Sequence, residues 1–155
     1  MARSTTVTKP ASEHEAAWRG FVRAHALLVR EFERQLRIEC DLTLNTYDVL
    51  LALSEAPGKQ LRMRDLADAL AYSTSGVTRV VDGLERNGLA ERAADPHDRR
   101  VTLVVLTATG AGVLRKAAPV HQKVVNQYWT DLLTPAQAKA VRAATTAVCQ
   151  ALGEE

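Results

Sequence analysis

Cysteine is scarce in this sequence, with only Cys40 and Cys149 among 155 residues. The two lie far apart and neither belongs to a C-x-x-C pair, so their spacing argues against a disulfide framework and against a zinc site. The four histidines are scattered and form no H-E-x-x-H or comparable ligand spacing. This usage favours a reducing, cytoplasmic setting, and we expect no metal or other cofactor.

Long apolar runs are missing as well. No stretch of about 18 consecutive apolar residues occurs, and residues 1–10 contain Arg3 and Lys9 but no apolar segment of the kind found in signal peptides. We therefore expect neither secretion nor a membrane span. Residues 1–11 are rich in Ser and Thr and lack periodicity, which predicts a flexible N-terminal tail.

Enzyme motifs are also absent. The sequence contains no nucleophile elbow, phosphate-binding loop, metal-ligand cluster or supported pair of catalytic carboxylates, so we expect a protein that is not an enzyme. A net charge of +2 is only mildly basic and does not by itself indicate nucleic acid. The length of 155 residues and the hydrophobic fraction of 46% predict one domain with a sizeable core, over residues 12–155.

An amphipathic helix is predicted between Ser73 and Gly88. Its apolar stripe follows the i, i+3, i+4, i+7 spacing and consists of Val77, Val80, Val81 and Leu84. Its opposite face is polar and consists of Ser75, Arg79, Asp82 and Arg86, with Thr78 on the flank. Ser73 can accept a backbone N–H as N-cap, and Asn87-Gly88 can supply the left-handed residue that ends a helix. The helix is therefore bounded at both ends.

The segments around this helix indicate a winged helix. A shorter apolar stripe, Met63, Leu66, Ala67 and Leu70, precedes it, and only Ala71-Tyr72 separates the two, as in a helix-turn-helix whose second helix can enter a major groove. Strand-like residues then occupy 89–93 and 101–106, with a turn at 95–98 that contains Pro96. The hairpin carries Arg99 and Arg100 at its tip, which is typical of a wing.

The hairpin also carries a family resemblance. Residues 98–110 resemble the wing signature of the MarR family of transcriptional regulators, D-x-R-x-x-x-V-x-L-T-x-x-G. The fixed positions are matched by Asp98, Arg100, Val104, Leu106, Thr107 and Gly110. Residues 77–92 are likewise similar to the recognition helix and first wing strand of that family. The resemblance implies a mainly α fold with a small β-hairpin wing and long N- and C-terminal dimerisation helices.

The flanking segments fit such helices. Ser12 and Glu15 form a capping box before an apolar stripe that runs from Trp18 to Leu36, which is longer than a small winged helix can cover. A second helix is predicted to begin at Asn45 or Thr46 and to end at Pro57-Gly58. We assign residues 12–40 and 108–155 to dimerisation and residues 44–107 to the winged-helix lobe.

The C-terminal part is predicted to form two helices. Thr107 can cap the first of them, and Pro119 lies inside it, which predicts a kink or a break near residues 117–118. Thr134, Pro135 and Gln137 form the N-terminal signals of the last helix. The resemblance implies that the terminal helices form a homodimer.

The resemblance implies a sequence-specific regulator of transcription that binds a pseudo-palindromic, double-stranded DNA operator, with repression as the better hypothesis. The candidate DNA-binding residues are Ser73, Thr74, Ser75, Thr78, Arg79, Arg86, Asp98, Arg99 and Arg100. Arginine reads guanine in the major groove and suits narrow minor grooves. By carry-over from the family, Arg100 reaches the minor groove and Asp98 orients its guanidinium.

Each of these assignments has a competing interpretation. Arg79 can be a solvated charge, and Arg86, near the helix C-terminus, can simply suit the helix dipole. Asp98 can be a turn former, and Arg99 can be exposed without a partner. A winged helix that binds protein through a degenerate DNA-binding face is the alternative function. The presence of Arg79 and Arg100 argues against it.

The resemblance further implies a small aromatic or phenolic effector, bound between the dimerisation helices and the winged helix. Trp18, His25, Tyr47 and Asp48 are candidates to line its site, although such residues on a helical stripe are more often ordinary core. Some family members instead sense oxidants through cysteine. Cys40 is the candidate for this alternative, but Glu39 and Asp41 beside it should raise the pKa of its thiol and reduce its reactivity.

Overall fold

A computed structural model describes residues 12–96, 98 and 100–153 of the chain. The predicted tail at residues 1–11 lies outside them. The helices are α1 (Glu13–Cys40), α2 (Leu44–Glu55), α3 (Met63–Ala69), α4 (Thr74–Arg86), α5 (Ala108–Val125) and α6 (Pro135–Ala151), and the strands are β1 (Gln60–Arg62), β2 (Ala90–Ala94) and β3 (Thr102–Leu106). A 3-10 turn at Pro57–Lys59 and a π-helical turn at Asn126–Thr130 complete the elements. Across these described stretches, no helix has the length and apolar character needed to span a bilayer.

The winged-helix lobe is built from α2, α3, α4 and a three-stranded antiparallel sheet in the order β1-β3-β2. The predicted stripe of α4 faces the core, since Val77, Val81 and Leu84 are buried and Val80 is half-buried. The sequence predicted the hairpin of β2 and β3 but not β1, which pairs with β3 over three residues. Three residues are too short to show an alternation of apolar and polar positions.

Helix starts follow the predicted caps. Ser73 Oγ accepts the N–H of Gly76 at 3.1 Å, and Thr107 Oγ1 accepts that of Gly110 at 3.0 Å. The capping box of Thr134 is present, and Ser12 caps α1. α2 begins slightly earlier than predicted, because the side chain of Thr43 accepts the N–H of Thr46 and so serves as its N-cap.

Of the kink or break predicted near residues 117–118, the break was wrong, because α5 continues without interruption to Val125. Proline removes one backbone donor, which leaves the carbonyl of Arg115 without its usual helical partner. Both residues are on the exposed side of the helix. Water can therefore hydrate that carbonyl, and the helix continues past the proline.

The terminal helices present apolar side chains that the single chain does not cover. α1 packs on α5 through its C-terminal part, where Leu36 is fully buried. Its N-terminal half leaves Trp18 64% exposed and Leu27 51% exposed. No residue of α6 is buried, and Leu152 is 79% exposed. Each of these helices therefore leaves large apolar side chains in contact with solvent in the monomer.

A close backbone contact explains the glycine of the wing signature. Thr107 donates its N–H to the Leu89 carbonyl at 3.2 Å and its hydroxyl to the Gly88 carbonyl at 2.7 Å, which holds the start of α5 against the end of α4. At Gly110, a Cβ would lie far inside van der Waals contact of the Leu89 carbonyl oxygen and 2.9 Å from Leu106 Cδ1. Only glycine fits this position without movement of the backbone.

Gly110→Ala is expected to lower the free energy of unfolding by about 3 kcal/mol, because a backbone carbonyl cannot yield to the added methyl group. Gly112→Ala is the matched control two residues along α5. Its Cβ would meet nothing closer than Arg115 Nη2 at 3.8 Å. The control should be neutral or more stable by up to about 1 kcal/mol. Urea denaturation followed by circular dichroism measures both, and equal effects would contradict the close contact.

A stack of three rings joins α1 and α5 to α2 of the winged-helix lobe. The His121 ring of α5 lies between Phe32 of α1, at a centroid distance of 4.5 Å, and Tyr47 of α2, at 4.7 Å, with interplanar angles of 16°. Burial lowers the pKa of His121 from its ordinary value of 6.5. The neutral imidazole is therefore the form that the folded state prefers.

Stability is expected to fall as the solution is acidified through the pKa of His121. The folded-state pKa lies below the ordinary value of 6.5, so the contribution is complete above about pH 6.5 and is lost as pH falls through the folded pKa. Urea midpoints between about pH 5 and pH 7.5 measure the slope. His121→Phe should reduce it and His25→Gln, on the exposed part of α1, should not. An unchanged slope in His121→Phe would refute the assignment.

Candidate nucleic-acid interface

The first turns of α4 present hydroxyl groups to solvent, but not all of them are free. Ser73 Oγ accepts the N–H of Gly76 as N-cap and lies 3.3 Å from Ser75 Oγ. Thr78 donates its hydroxyl to the Thr74 carbonyl at 2.8 Å. Thr78 can therefore accept a hydrogen bond from a ligand but not donate one, whereas the exposed Thr74 retains both capacities.

Two predicted arginines of α4 are exposed and available. Within the described residues, neither Arg79 nor Arg86 forms an ion pair. Each guanidinium therefore keeps its full set of donors for a phosphate or a base edge. Arg79 lies two turns before Arg86, nearer to the exposed hydroxyls at the helix N-terminus.

The acidic residues of α4 form ion pairs with an arginine that sequence analysis did not identify as their partner. Arg92 of β2 binds Asp82 at 2.7 Å and also pairs with Glu85, which in addition accepts the Arg92 backbone N–H at 3.0 Å. Asp82 was expected on the outward face beside Arg79. Its charge is instead neutralised by the wing, and the wing is fixed to the helix. No local sequence pattern predicts a pairing between a helix and the strand that follows it.

The wing is held near its tip by a second ion pair. Arg62 of β1 binds Asp95 at 3.2 Å, and Asp95 is only 5% exposed. The Asp95 N–H donates to the Val101 carbonyl at 3.0 Å, which closes the hairpin just before its tip. The tip therefore projects from a part of the hairpin that these contacts hold in place.

At the tip, Asp98 accepts hydrogen bonds from backbone N–H groups. Its Oδ1 accepts the N–H of Arg100 at 3.0 Å, and its carbonyl accepts the N–H of Val101 at 2.9 Å. The expected pairing of Asp98 with the Arg100 guanidinium is not observed between these two residues, because the carboxylate is directed at the amide that closes the turn. Asp98 and Arg100 are both exposed, and Arg99 lies outside the described residues.

The four candidate effector residues are dispersed in the single chain. Trp18 is exposed, and its ring stacks on Phe21, which stacks on His25. Tyr47 is 3% exposed and packs against His121. Trp18 lies about 21 Å along α1 from Phe32, which also contacts His121. Trp18 and Tyr47 therefore cannot line one small site within a monomer.

Asp48 lies elsewhere again. It is half-buried, accepts a hydrogen bond from Tyr72 and borders a cavity of about 370 Å³ with Leu51, Glu55 and Leu70. None of the other three candidates lines this cavity. The four candidate effector residues thus do not line a common cavity in a single chain.

A larger crevice separates α1 from α4. It has a volume of about 730 Å³, and its arginines come from both helices. Its basic lining consists of Arg30, Arg34, Arg37 and Arg79, with Glu33 as the only acidic residue. Glu33 pairs with Arg37 at 2.6 Å and also accepts the Leu44 N–H, also at 2.6 Å. Among the residues described, Arg30 and Arg79 have no ion-pair partner, so the crevice carries unneutralised positive charge.

The two cysteines differ in exposure. Cys40 is half-buried, and burial followed by the charge of Glu39 raises the pKa of its thiol. The thiolate is thus disfavoured, which argues against a reactive sensor at this position. Cys149 is exposed on α6. In the part of the chain that is described, no three His, Cys, Asp or Glu side chains come together in a way that could hold a metal ion.

Arg92→Leu is expected to lower the free energy of unfolding by about 1 kcal/mol, because it leaves two carboxylates of α4 without their partner in a partly exposed setting. Arg115→Leu is the matched control, since Arg115 is exposed on α5 and pairs with no described residue. Denaturant unfolding measures both variants. If Arg92→Leu is no less stable than the control, the ion-pair cluster does not fix the wing.

Known proteins are similar to this chain in sequence and in fold. A sequence profile of the MarR family matches residues 41–101. The transcriptional repressor MprA of Escherichia coli K12 is 32% identical over 85 residues, which are 55% of this chain and 48% of MprA. The match therefore spans about half the length of that relative.

Two solved structures from Streptomyces coelicolor match over almost the whole length. Sco3205, a MarR family regulator in complex with DNA, is 32% identical with a TM-score of 0.87, covering 97% of this chain and 94% of its own. AbsC, also of the MarR family, is 33% identical with a TM-score of 0.86, covering 94% and 98%. The chain belongs to the MarR family of winged-helix transcriptional regulators.

Proposed function

We propose that this protein binds a pseudo-palindromic operator in duplex DNA as a homodimer, and that α4 is its recognition helix. The observation that carries the proposal is the division of charge on α4. Thr74, Ser75 and Arg79 are exposed, whereas the carboxylates of Asp82 and Glu85 are bound by Arg92. The helix can therefore approach phosphates and base edges without repulsion from its own acids.

Specific roles follow from the chemistry of each group. Arg79 is a candidate to read guanine through two hydrogen bonds, and Thr74 and Ser75 can bond either a base edge or a phosphate. Arg100 at the wing tip would enter the flanking minor groove, where narrow A·T tracts attract arginine. Asp98 would preserve the turn that presents Arg100. Further contacts to the DNA backbone would come from Ser73, Thr78, Arg86 and Arg99.

Dimerisation is supported by the uncovered apolar residues of α1 and α6. Trp18, Leu27, Val148 and Leu152 are each more than half exposed in the monomer. Burial of such a face against a second copy would remove it from water, and a two-fold axis would repeat α4 on the other side. Two recognition helices about 34 Å apart would enter successive major grooves.

Repression released by a small acidic ligand is the form of regulation that we favour. The likeness to MprA, a repressor, supports the sign of regulation. The basic crevice between α1 and α4 supports an acidic, aromatic effector, because it shares Arg79 with the proposed DNA-binding face. A ligand that engaged Arg79 there would compete with DNA.

The proposal is tested by fluorescence anisotropy of labelled DNA from upstream of the protein's own gene, at two salt concentrations and with unrelated competitor. Sedimentation gives the number of protomers bound. Specific, salt-sensitive binding of two protomers supports the proposal, and a panel of aromatic acids then tests release. If genome-derived fragments also fail to bind, the winged helix is a protein-interaction module instead.

Arg100→Ala is expected to weaken operator binding by about 1 to 3 kcal/mol and to flatten its dependence on salt, because one phosphate-proximal charge is lost. Folding should be unchanged, since Arg100 is exposed. Arg115→Ala on α5 removes the same charge away from the wing and should bind as the wild type does. Equal affinities of the two variants would contradict the role of the wing.

A further inference from the structure

Tyr72 lies in the turn between α3 and α4, one residue before the N-cap of α4. Its hydroxyl lies 3.0 Å from Asn45 Oδ1 and 3.0 Å from Asp48 Oδ2. Both acceptors belong to the first turns of α2. The single phenolic proton is therefore shared between two oxygens of one helix.

The turn that Tyr72 occupies determines where α4 begins. The Tyr72 N–H donates to the Ala67 carbonyl at 3.0 Å, and Ala71 adopts a left-handed conformation with φ of 52°. The next residue, Ser73, is the N-cap of α4, and Thr74 and Ser75 follow it directly. A shift of the Tyr72 side chain is therefore transmitted over one or two residues to the hydroxyls that meet DNA in the proposed function.

The hydrogen bond from Tyr72 to Asp48 is made in a partly desolvated environment. Tyr72 and Asp48 are both half-buried, and Tyr72 packs against the core of the lobe. Burial and the nearby Asp48 carboxylate raise the pKa of Tyr72, so its hydroxyl remains a donor throughout the physiological range. Hydrogen bonds to a charged acceptor in such a setting are stronger than those between neutral groups.

We infer that Tyr72 is a positioning residue for DNA recognition: its hydroxyl ties the start of α4 to Asn45 and Asp48 of α2 and so fixes the pose of the recognition helix. This inference rests on the proposed function. Recognition of base edges requires placement to within about 0.5 Å. Attraction to phosphates is sequence-independent and tolerates a less well defined pose. Loss of the hydroxyl should therefore reduce specificity more than general DNA affinity.

The test compares Tyr72→Phe with Tyr128→Phe, since Tyr128 is exposed in the π-helical turn and lies far along the chain from the lobe. Dissociation constants are measured for the operator and for a scrambled duplex of the same length. For Tyr72→Phe we expect operator affinity to fall about tenfold, as for one lost charge-assisted hydrogen bond, and scrambled-duplex affinity to stay unchanged. Tyr128→Phe should match the wild type on both duplexes.

A double-mutant comparison isolates the hydrogen bonds themselves. Asn45→Ala combined with Asp48→Ala removes both acceptors and lowers operator affinity by its own amount. Adding Tyr72→Phe to that background should produce no further loss, because the interaction is already absent. A full tenfold further loss in that background would show that the hydroxyl acts elsewhere and would overturn the inference.

The remaining outcomes separate the inference from the function on which it rests. If the wild type binds its operator specifically and Tyr72→Phe binds equally well, Tyr72 does not position the helix, and the proposed function stands. If Tyr72→Phe weakens both duplexes alike and melts at a lower temperature, its role is general stability, and the inference fails. If the wild type prefers no fragment at all, the proposed function and the inference fail together.

Discussion

The burial of one face of α4 determines how the recognition helix is presented to solvent. Val77, Val81 and Leu84 are at most 2% exposed, and side chains of this type contribute about 1.5 to 3 kcal/mol each when fully buried. With that stripe held against the lobe, the helix has one rotation about its axis. The hydroxyls and arginines of the other face must then point outward.

Charge is arranged locally and not in bulk. A net charge of +2 gives little general attraction for DNA, yet two ion pairs of the wing engage carboxylates close to the exposed arginines of α4 and of the wing tip. Arg92 pairs with both carboxylates of α4, and Arg62 pairs with the buried Asp95. The Arg92 contacts also fix the wing to α4, and the Arg62 contact fixes it to β1. The side chains that pair with these carboxylates therefore also hold the wing in position.

The sequence predicted those features that depend on neighbours along the chain. The caps at Ser73, Thr107 and Thr134 and the stripe of α4 are local patterns, and the structure confirms them. The Arg92 cluster and the Tyr72 contact with α2 join segments that meet only after folding, so no periodicity revealed them. The sequence grouped the candidate effector residues, but the structure places them apart. Helical periodicity shows which residues share a stripe and does not show which stripes line a common cavity.

Entry of paired α4 helices into the major groove is best tested by chemical footprinting of the bound operator, because this method reports which groove each part of the protein occupies. Dimethyl sulfate detects guanine N7 in the major groove, and hydroxyl radicals detect the minor groove. We expect two major-groove protections about 10 base pairs apart, related by a dyad, with minor-groove protection on their outer flanks. Protection without major-groove guanines, or at one half-site only under saturating protein, would contradict entry of paired α4 helices.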